Sequence, residues 1–382
     1  MTHGAGGLSA LDEYPIHQTA QPVAWPASSD RNFYDRCYLN AHDRSGEIFV
    51  ITGMGYYPNL GTKDAFFFVA RPGKDGAPGT HTALHLSDLA DTDRLNQHVG
   101  PYRIEIIEPL QKLRVVLEET EGISADLTWE GSFPVLQEMP HVLRTGARVT
   151  LDAQRFAQVG TWSGHVVVDG ERIEVTPDRW VGTRDRSWGI RPVGEAEPAG
   201  APANPPFDGM WWLYVPMRFD DFAVVVIMQE DPDGYRSLND CHRIWPDGRI
   251  EQLGWPQVAI HYESGTRMPS GATLRTTTAD GRTLEMEVSS LLAAPLNVGA
   301  GYGGDPDWSH GLWKSEKFAE RVTYDLADPA VAGRVMFACV DHVGRAVLTE
   351  DGATHEGWGL FEHFCLGRHD ASGFGDWFAT AP

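Results

Sequence analysis

Hydrophobic and polar residues alternate along most of this chain in short runs with a period of two, the spacing of a half-buried strand. Early examples are Glu47-Ile48-Phe49-Val50-Ile51-Thr52, Ala65-Phe66-Phe67-Phe68-Val69-Ala70 and Tyr102-Arg103-Ile104-Glu105-Ile106-Ile107. Lys112-Leu113-Arg114-Val115-Val116-Leu117, Gly164-His165-Val166-Val167-Val168 and Phe222-Ala223-Val224-Val225-Val226-Ile227 follow. β-branched and aromatic residues dominate them, as strands require. Asp-Gly pairs punctuate the runs at Asp75-Gly76, Asp169-Gly170, Asp233-Gly234, Asp247-Gly248, Asp280-Gly281 and Asp351-Gly352, each a hairpin signal. Helical periodicity is scarce, and residues 285–293 fit a short helix or a strand equally well. The pattern predicts an antiparallel all-β protein.

The segment Pro192 to Pro206 breaks this pattern. Its Pro, Ala and Glu content is that of an extended linker. The expected organisation is therefore a β domain over 1–191, a linker over 192–208 and a second β domain over 209–382. A chain of 382 residues suits two cores better than one. Each half ends in a Trp-Gly element, Ser187-Trp188-Gly189 and Gly357-Trp358-Gly359, which admits a diverged duplication. Residues 1–30 are polar and irregular, and are expected on the surface or in a lead-in strand.

Composition narrows the functional classes. Aromatics reach 10%, with 13 Trp, which favours sheets and aromatic-lined cavities. The net charge of −22 argues against binding to phosphate backbones or anionic membranes. No nucleic-acid partner and no membrane span are expected. Met1 to Gly7 lacks a basic n-region and an apolar h-region, so no leader is expected there. The four cysteines, Cys37, Cys241, Cys339 and Cys365, show no CxxC spacing. A reducing, cytoplasmic setting without disulfides fits them. His310, His355, His363 and His369 match no metal-ligand template, so no metal is expected. Gly299-Ala300-Gly301-Tyr302-Gly303-Gly304 matches GxGxxG literally, yet no strand precedes it, Asp305-Pro306 follows it, and no helix opens there. Gly160-Thr161-Trp162-Ser163-Gly164 has the wrong spacing and setting for a nucleophile elbow.

Two regions hold candidate chemistry. The first is Arg184-Asp185-Arg186-Ser187-Trp188-Gly189-Ile190-Arg191, dense in charge around a tryptophan. Three arginines are expected to hold Asp185 ionised, as in a structural ion pair. The second is the C-terminal half, with Asp305, Asp307, Trp308 and His310, then Glu362 and His363. Strand alternation puts Leu360, Glu362 and Phe364 on one face and Phe361, His363 and Cys365 on the other. Either Glu362 or His363 then points into an apolar interior, where a carboxyl binds its proton more tightly and a histidine can exchange one. The competing structural readings are a turn for Asp305 and Asp307, a core histidine for His363, and core packing for Trp211, Trp212 and Trp308.

Gly182-Thr183-Arg184-Asp185-Arg186-Ser187-Trp188-Gly189-Ile190-Arg191 resembles a signature of the tandem lipocalin-like proteins of the calycin group, the AttH and carotenoid 1,2-hydratase-like families. Asp30 to Asp35, Tyr57 to Gly61, Gly303 to Gly311 and Gly359 to His363 agree with it. The resemblance implies two lipocalin-like antiparallel β-barrels in tandem, with a hydrophobic pocket in or between them. It also implies a lyase or isomerase that needs no cofactor. The reaction would be a hydration, dehydration or cyclisation of a terpenoid, steroid-like or aromatic small molecule. The expected acid–base residues are Glu362, His363, Asp305, Asp307, His310 and Asp185. The expected lining is Trp188, Trp211, Trp212, Tyr302, Trp308 and Trp313. A non-catalytic carrier of hydrophobic ligands is the alternative, a purely structural β protein is a third reading, and a homodimer is left open.

Overall fold

A computed structural model gives the fold and describes residues 8–198, 200 and 206–382. Met1 to Gly7 and, within the expected linker, residues 199 and 201–205 lie outside the described residues. The architecture is all-β, with two curled antiparallel sheets. The first is built on the strands between Phe33 and Ile190, the second on those between Gly209 and Gly367. In the first sheet the last strand of the path, His98–Val99, curls back against Thr62–Arg71 and Thr80–Leu89.

Alternation explains how three separate cores arise from one pattern. In Thr62–Arg71, Ala65, Phe67 and Val69 point into the interior of the first barrel, beside Trp129 and Trp162. Phe66 and Phe68 point the other way, into a core between the two sheets. The second sheet repeats this. In Ala223–Glu230, Val224, Val226 and Met228 fill the second barrel, while Ala223, Val225 and Ile227 face the seam. Strands buried on both faces read as continuous apolar runs, as these do. The seam core also takes Trp212, Tyr214, Trp308 and Leu360, so both halves supply it.

The ambiguous stretch 285–293 is strand, within Thr283–Pro295. Two Asp-Gly pairs make two-residue turns with both residues left-handed: Asp169 and Gly170 at φ 52° and 82°, Asp351 and Gly352 at φ 50° and 81°. One strand crosses over: Phe318–Asp325 pairs with Thr80–Leu89 at the edge of the first sheet. The loop before it lies along that barrel, where His81 Nδ1 and His85 Nε2 meet the carbonyls of Val298 and Gly299 at 3.0 and 2.8 Å. No described helix is long and apolar enough to cross a membrane.

Candidate functional site

A cavity of about 310 Å³ opens in the seam between the sheets. Its size is at the lower end of the range for small-molecule sites. The walls are the outward faces of strands whose other faces fill the barrels. On the first sheet, Tyr34, Arg36 and Tyr38 alternate along Phe33–His42, with Ala153 and Arg155 on Arg148–Val168 and Asp185 and Ser187 on Val181–Ile190. On the second, Met210, Trp212 and Tyr214 alternate along Gly209–Arg218, and Leu360, Glu362, Phe364 and Leu366 along Ala353–Gly367.

The register sorts this lining into rows. Met210 pairs with Leu366, Trp212 with Phe364, and Tyr214 with Glu362. Rows on one face lie about 7 Å apart at the usual strand rise. The cavity thus runs from an apolar end to an acid end. Opposite, Tyr38 pairs with Asp185, and Arg36 with Ser187, which also pairs with Arg155.

At the acid end, Glu362 has Asp341 as its partner on Val340–Glu350, so Tyr214, Glu362 and Asp341 stand abreast on three strands. The Trp212 indole N–H donates to Glu362 Oε1. Tyr38 reaches across the seam and its hydroxyl donates to Asp341 Oδ2, while Asn40 Nδ2 donates to the Tyr38 oxygen at 3.3 Å. Asp341 is fully buried, and its Oδ1 has no hydrogen-bond partner among the described residues. Burial, and then the Glu362 charge, push the Asp341 carboxyl well above the usual carboxylate range. Asp341 therefore keeps its proton to a higher pH than a free carboxyl does.

Asp185 behaves differently from the sequence expectation. Arg184 and Arg186 flank it in sequence, but alternation sends both to the opposite face. Arg184 Nε donates to Gln158 at 2.8 Å, and Arg186 Nε donates to Asp35 at 2.9 Å. Asp185 forms no ion pair within 4.0 Å among the described residues. Burial raises its carboxyl to about 7, against a smaller opposing pull from Arg155. Arg155 is neutralised by Glu138, with Nε 2.5 Å from Oε2. Asp185 is thus poised to exchange a proton near neutrality, not held as a fixed carboxylate.

The other expected site residues are dispersed. Glu362 and His363 are both buried or half-buried but on opposite faces. His363 lies in the second barrel, where its Nδ1–H donates to the Trp212 carbonyl at 2.6 Å and its Nε2 accepts from the Tyr262 hydroxyl at 2.8 Å. Asp305 organises the glycine loop. Its Oδ2 accepts the Gly299 and Gly301 N–H groups at 2.8 and 3.2 Å, and its Oδ1 accepts that of Asp307 at 3.0 Å. These bonds hold a loop in which Gly299, Gly301, Gly303 and Gly304 are all left-handed, and so place Tyr302 on the cavity. Asp307 faces outward, paired with Arg334 at 2.8 Å and accepting the Tyr324 hydroxyl at 2.9 Å. His310 is buried behind the lining among Phe66, Trp308 and Tyr302, with Nδ1 3.8 Å from Asp64.

Of the expected aromatics, Trp212 and Tyr302 line the cavity. Trp211 packs in the second barrel. Trp308 is buried in the seam core, stacked on His85 at 4.6 Å. Trp188 and Trp313 are exposed at 37% and 45%, which excludes them from an enclosed lining.

Sequence reasoning missed Asp341, Arg155, Tyr38 and Tyr214. Asp341 carried a signal: it is a lone acid in the run Ala338-Cys339-Val340-Asp341-His342-Val343, where both faces are apolar. Among the described residues no group of three or more metal-ligating side chains is present.

No curated protein matches this chain. Among solved structures, kievitone hydratase from Nectria haematococca is similar over 86% of this chain and 88% of its own, at 11% identity and a TM-score of 0.45. CghA is similar over 87% and 88%, at 12% identity and a TM-score of 0.48. A structure described as a putative AttH from Nitrosomonas europaea is similar over 92% and 98%, at 15% identity and a TM-score of 0.44. The sequence model of a family of unknown function, DUF8625, matches residues 8–375. The chain belongs to that family.

Proposed function

We propose that the protein is a lyase or isomerase that transfers protons to and from a small, largely apolar molecule held in the seam cavity. The observation that carries this reading is the placement of Asp185 and Glu362 on facing walls of one cavity, with Asp341 buried beside Glu362 on the adjoining strand. Asp185, with its carboxyl near 7, is a proton donor when protonated and an acceptor when not. Glu362, backed by the proton on Asp341, takes the complementary role. A donor on one wall and an acceptor on the other suit hydration, dehydration or a proton-assisted cyclisation. The chain's own carboxyls suffice for such a step. Trp212, Phe364 and Leu366 line the end that would hold the apolar body. Terpenoid, steroid-like and aromatic skeletons fit that lining.

A carrier is the alternative, but a carrier needs only a dry cavity. Setting Asp185 and Glu362 against a ligand, with Asp341 buried behind, costs stability that a carrier would gain nothing from. The test is mass spectrometry of small molecules that co-purify with the protein, followed by turnover of the identified compound. Asp185→Asn and Glu362→Gln each abolish turnover while leaving the compound bound. Turnover at the wild-type rate in both variants would falsify the catalytic reading.

A further inference from the structure

Two arginines in the seam cavity have no carboxylate to answer them. Arg155 is matched by Glu138. Arg36 and Arg191 line the same cavity, and neither has a carboxylate oxygen within 4.0 Å among the described residues. Arg36 is only 5% exposed. Its guanidinium lies 4.8 Å from the centre of the Tyr302 ring, and that of Arg191 lies 5.7 Å from the centre of the Tyr34 ring. Each guanidinium thus lies over an aromatic ring rather than against a counter-ion.

The two cations also repel each other. Burial, and next the Arg36 charge, depress the proton affinity of Arg191. Asp185 and Glu362 line the same cavity, but among the described residues neither carboxylate lies within 4.0 Å of either guanidinium. Asp64, the carboxyl behind Arg36, is pushed up to about 7 by burial. Two guanidinium groups set into a cavity wall with no carboxylate in contact are costly when the cavity is empty and relieved by an anion. The same two cations disfavour a bare carbocation beside them and favour negative charge on a substrate oxygen.

We infer that Arg36 and Arg191 bind a carboxylate of the molecule held in the seam cavity, so that the substrate class is an apolar acid rather than a neutral hydrocarbon. Guanidinium groups recognise carboxylates through charge-assisted, often bidentate hydrogen bonds. Tyr34 and Tyr302 flank the head group, and the row from Trp212 to Leu366 takes the apolar body. This inference rests on the same cavity as the proposed function but concerns binding, not proton transfer.

The experiment compares two probes of equal shape in titrations of the full-length protein, 2-naphthoate and 2-naphthalenemethanol, read by calorimetry. The expected result is saturable binding of the acid, at least about tenfold tighter than the alcohol, as a charged hydrogen bond supplies. Arg191→Met lowers the affinity for the acid about tenfold and leaves that for the alcohol unchanged. Arg36→Lys, which keeps the buried charge, lowers the acid affinity less than Arg191→Met does. Near-ultraviolet circular dichroism of each variant confirms the native packing. Equal affinities of the two probes for the wild-type protein overturn the inference, as does no saturable binding of the acid at millimolar concentration. An acid preference that survives in folded Arg191→Met overturns it as well. Turnover does not enter these titrations. If the acid binds as expected while Asp185→Asn and Glu362→Gln both retain full turnover, only the catalytic reading falls. If Asp185→Asn abolishes turnover while the probes bind alike, only the carboxylate assignment falls.

Discussion

The Tyr38 hydroxyl of the first sheet donates a hydrogen bond to Asp341 of the second, across the seam that holds the cavity. It is a buried polar link across the seam, and it ties Asp341, and through its strand Glu362, to the opposite wall. Tyr38→Phe removes the donor and leaves the Asp341 oxygen buried with nothing to accept. That costs about 1–3 kcal/mol. Urea unfolding checks it: the expected outcome is a lower midpoint with an unchanged slope.

Asp185 sets a pH dependence of stability. Burial lifts its folded-state carboxyl to about 7 from the ordinary aspartate value of 3.8. Between these values the folded protein keeps a proton that the unfolded chain has released. Stability therefore falls as pH rises through that window, by up to about 1.4 kcal/mol per pH unit from this group. Asp185→Asn removes the dependence. The variant is expected to match the wild type near pH 4 and to be more stable at pH 8, by about 1–4 kcal/mol. Thermal melts at the two pH values measure the difference, and an equal melting temperature at pH 8 would count against a raised Asp185.

The same group predicts a rate profile. If the protonated Asp185 is the donor, turnover declines as pH rises through about 7, because the acid form is lost. If the reaction runs in the direction where Asp185 accepts, the limb inverts. In either direction the limb belongs to Asp185, and Asp185→Asn, which abolishes turnover, leaves no pH-dependent rate at all. Steady-state rates on the co-purifying compound, from pH 5 to pH 9, read this directly.

How much of this was legible in the sequence follows from what local patterns encode. Alternation identified the strands and even the sides of Glu362 and His363, because the period of two is a local property. It could not say that both sides of a strand such as Thr62–Arg71 would be buried, one in a barrel and one in a seam. That depends on a partner sheet more than a hundred residues away. The same limit misled the reading of Asp185. Its arginine neighbours in sequence suggested a fixed ion pair, yet alternation turns Arg184 and Arg186 away, and the residues that face Asp185 come from distant strands. Asp305 was legible as turn chemistry, and its three backbone bonds are what place Tyr302 on the cavity. The tie between Tyr38 and Asp341, 303 positions apart, left no trace in spacing or motif.

His363 provides the contrast with Glu362, its immediate neighbour. It is fully buried, and burial lowers its pKa to about 3 from the ordinary histidine value of 6.5. The Trp212 carbonyl can only accept, so Nδ1 carries the proton and Nε2 accepts from Tyr262. A neutral ring with both nitrogens occupied is a structural strut, not an acid–base group. Below about pH 6.5 the unfolded chain takes a proton that folded His363 refuses. Stability therefore falls as pH falls from there toward 3, by up to about 1.4 kcal/mol per unit. His363→Gln loses part of the strut and is expected to be less stable by about 1–3 kcal/mol at pH 7. Its loss of stability between pH 6 and pH 4 should be shallower than that of the wild type by one proton. Its folded fraction should retain turnover, whereas Glu362→Gln, one residue away on the cavity face, should fold and lose it. Urea titrations across that pH range, paired with rates normalised to folded protein, separate the two residues. A catalytic His363 would show the reverse, a folded variant with no turnover.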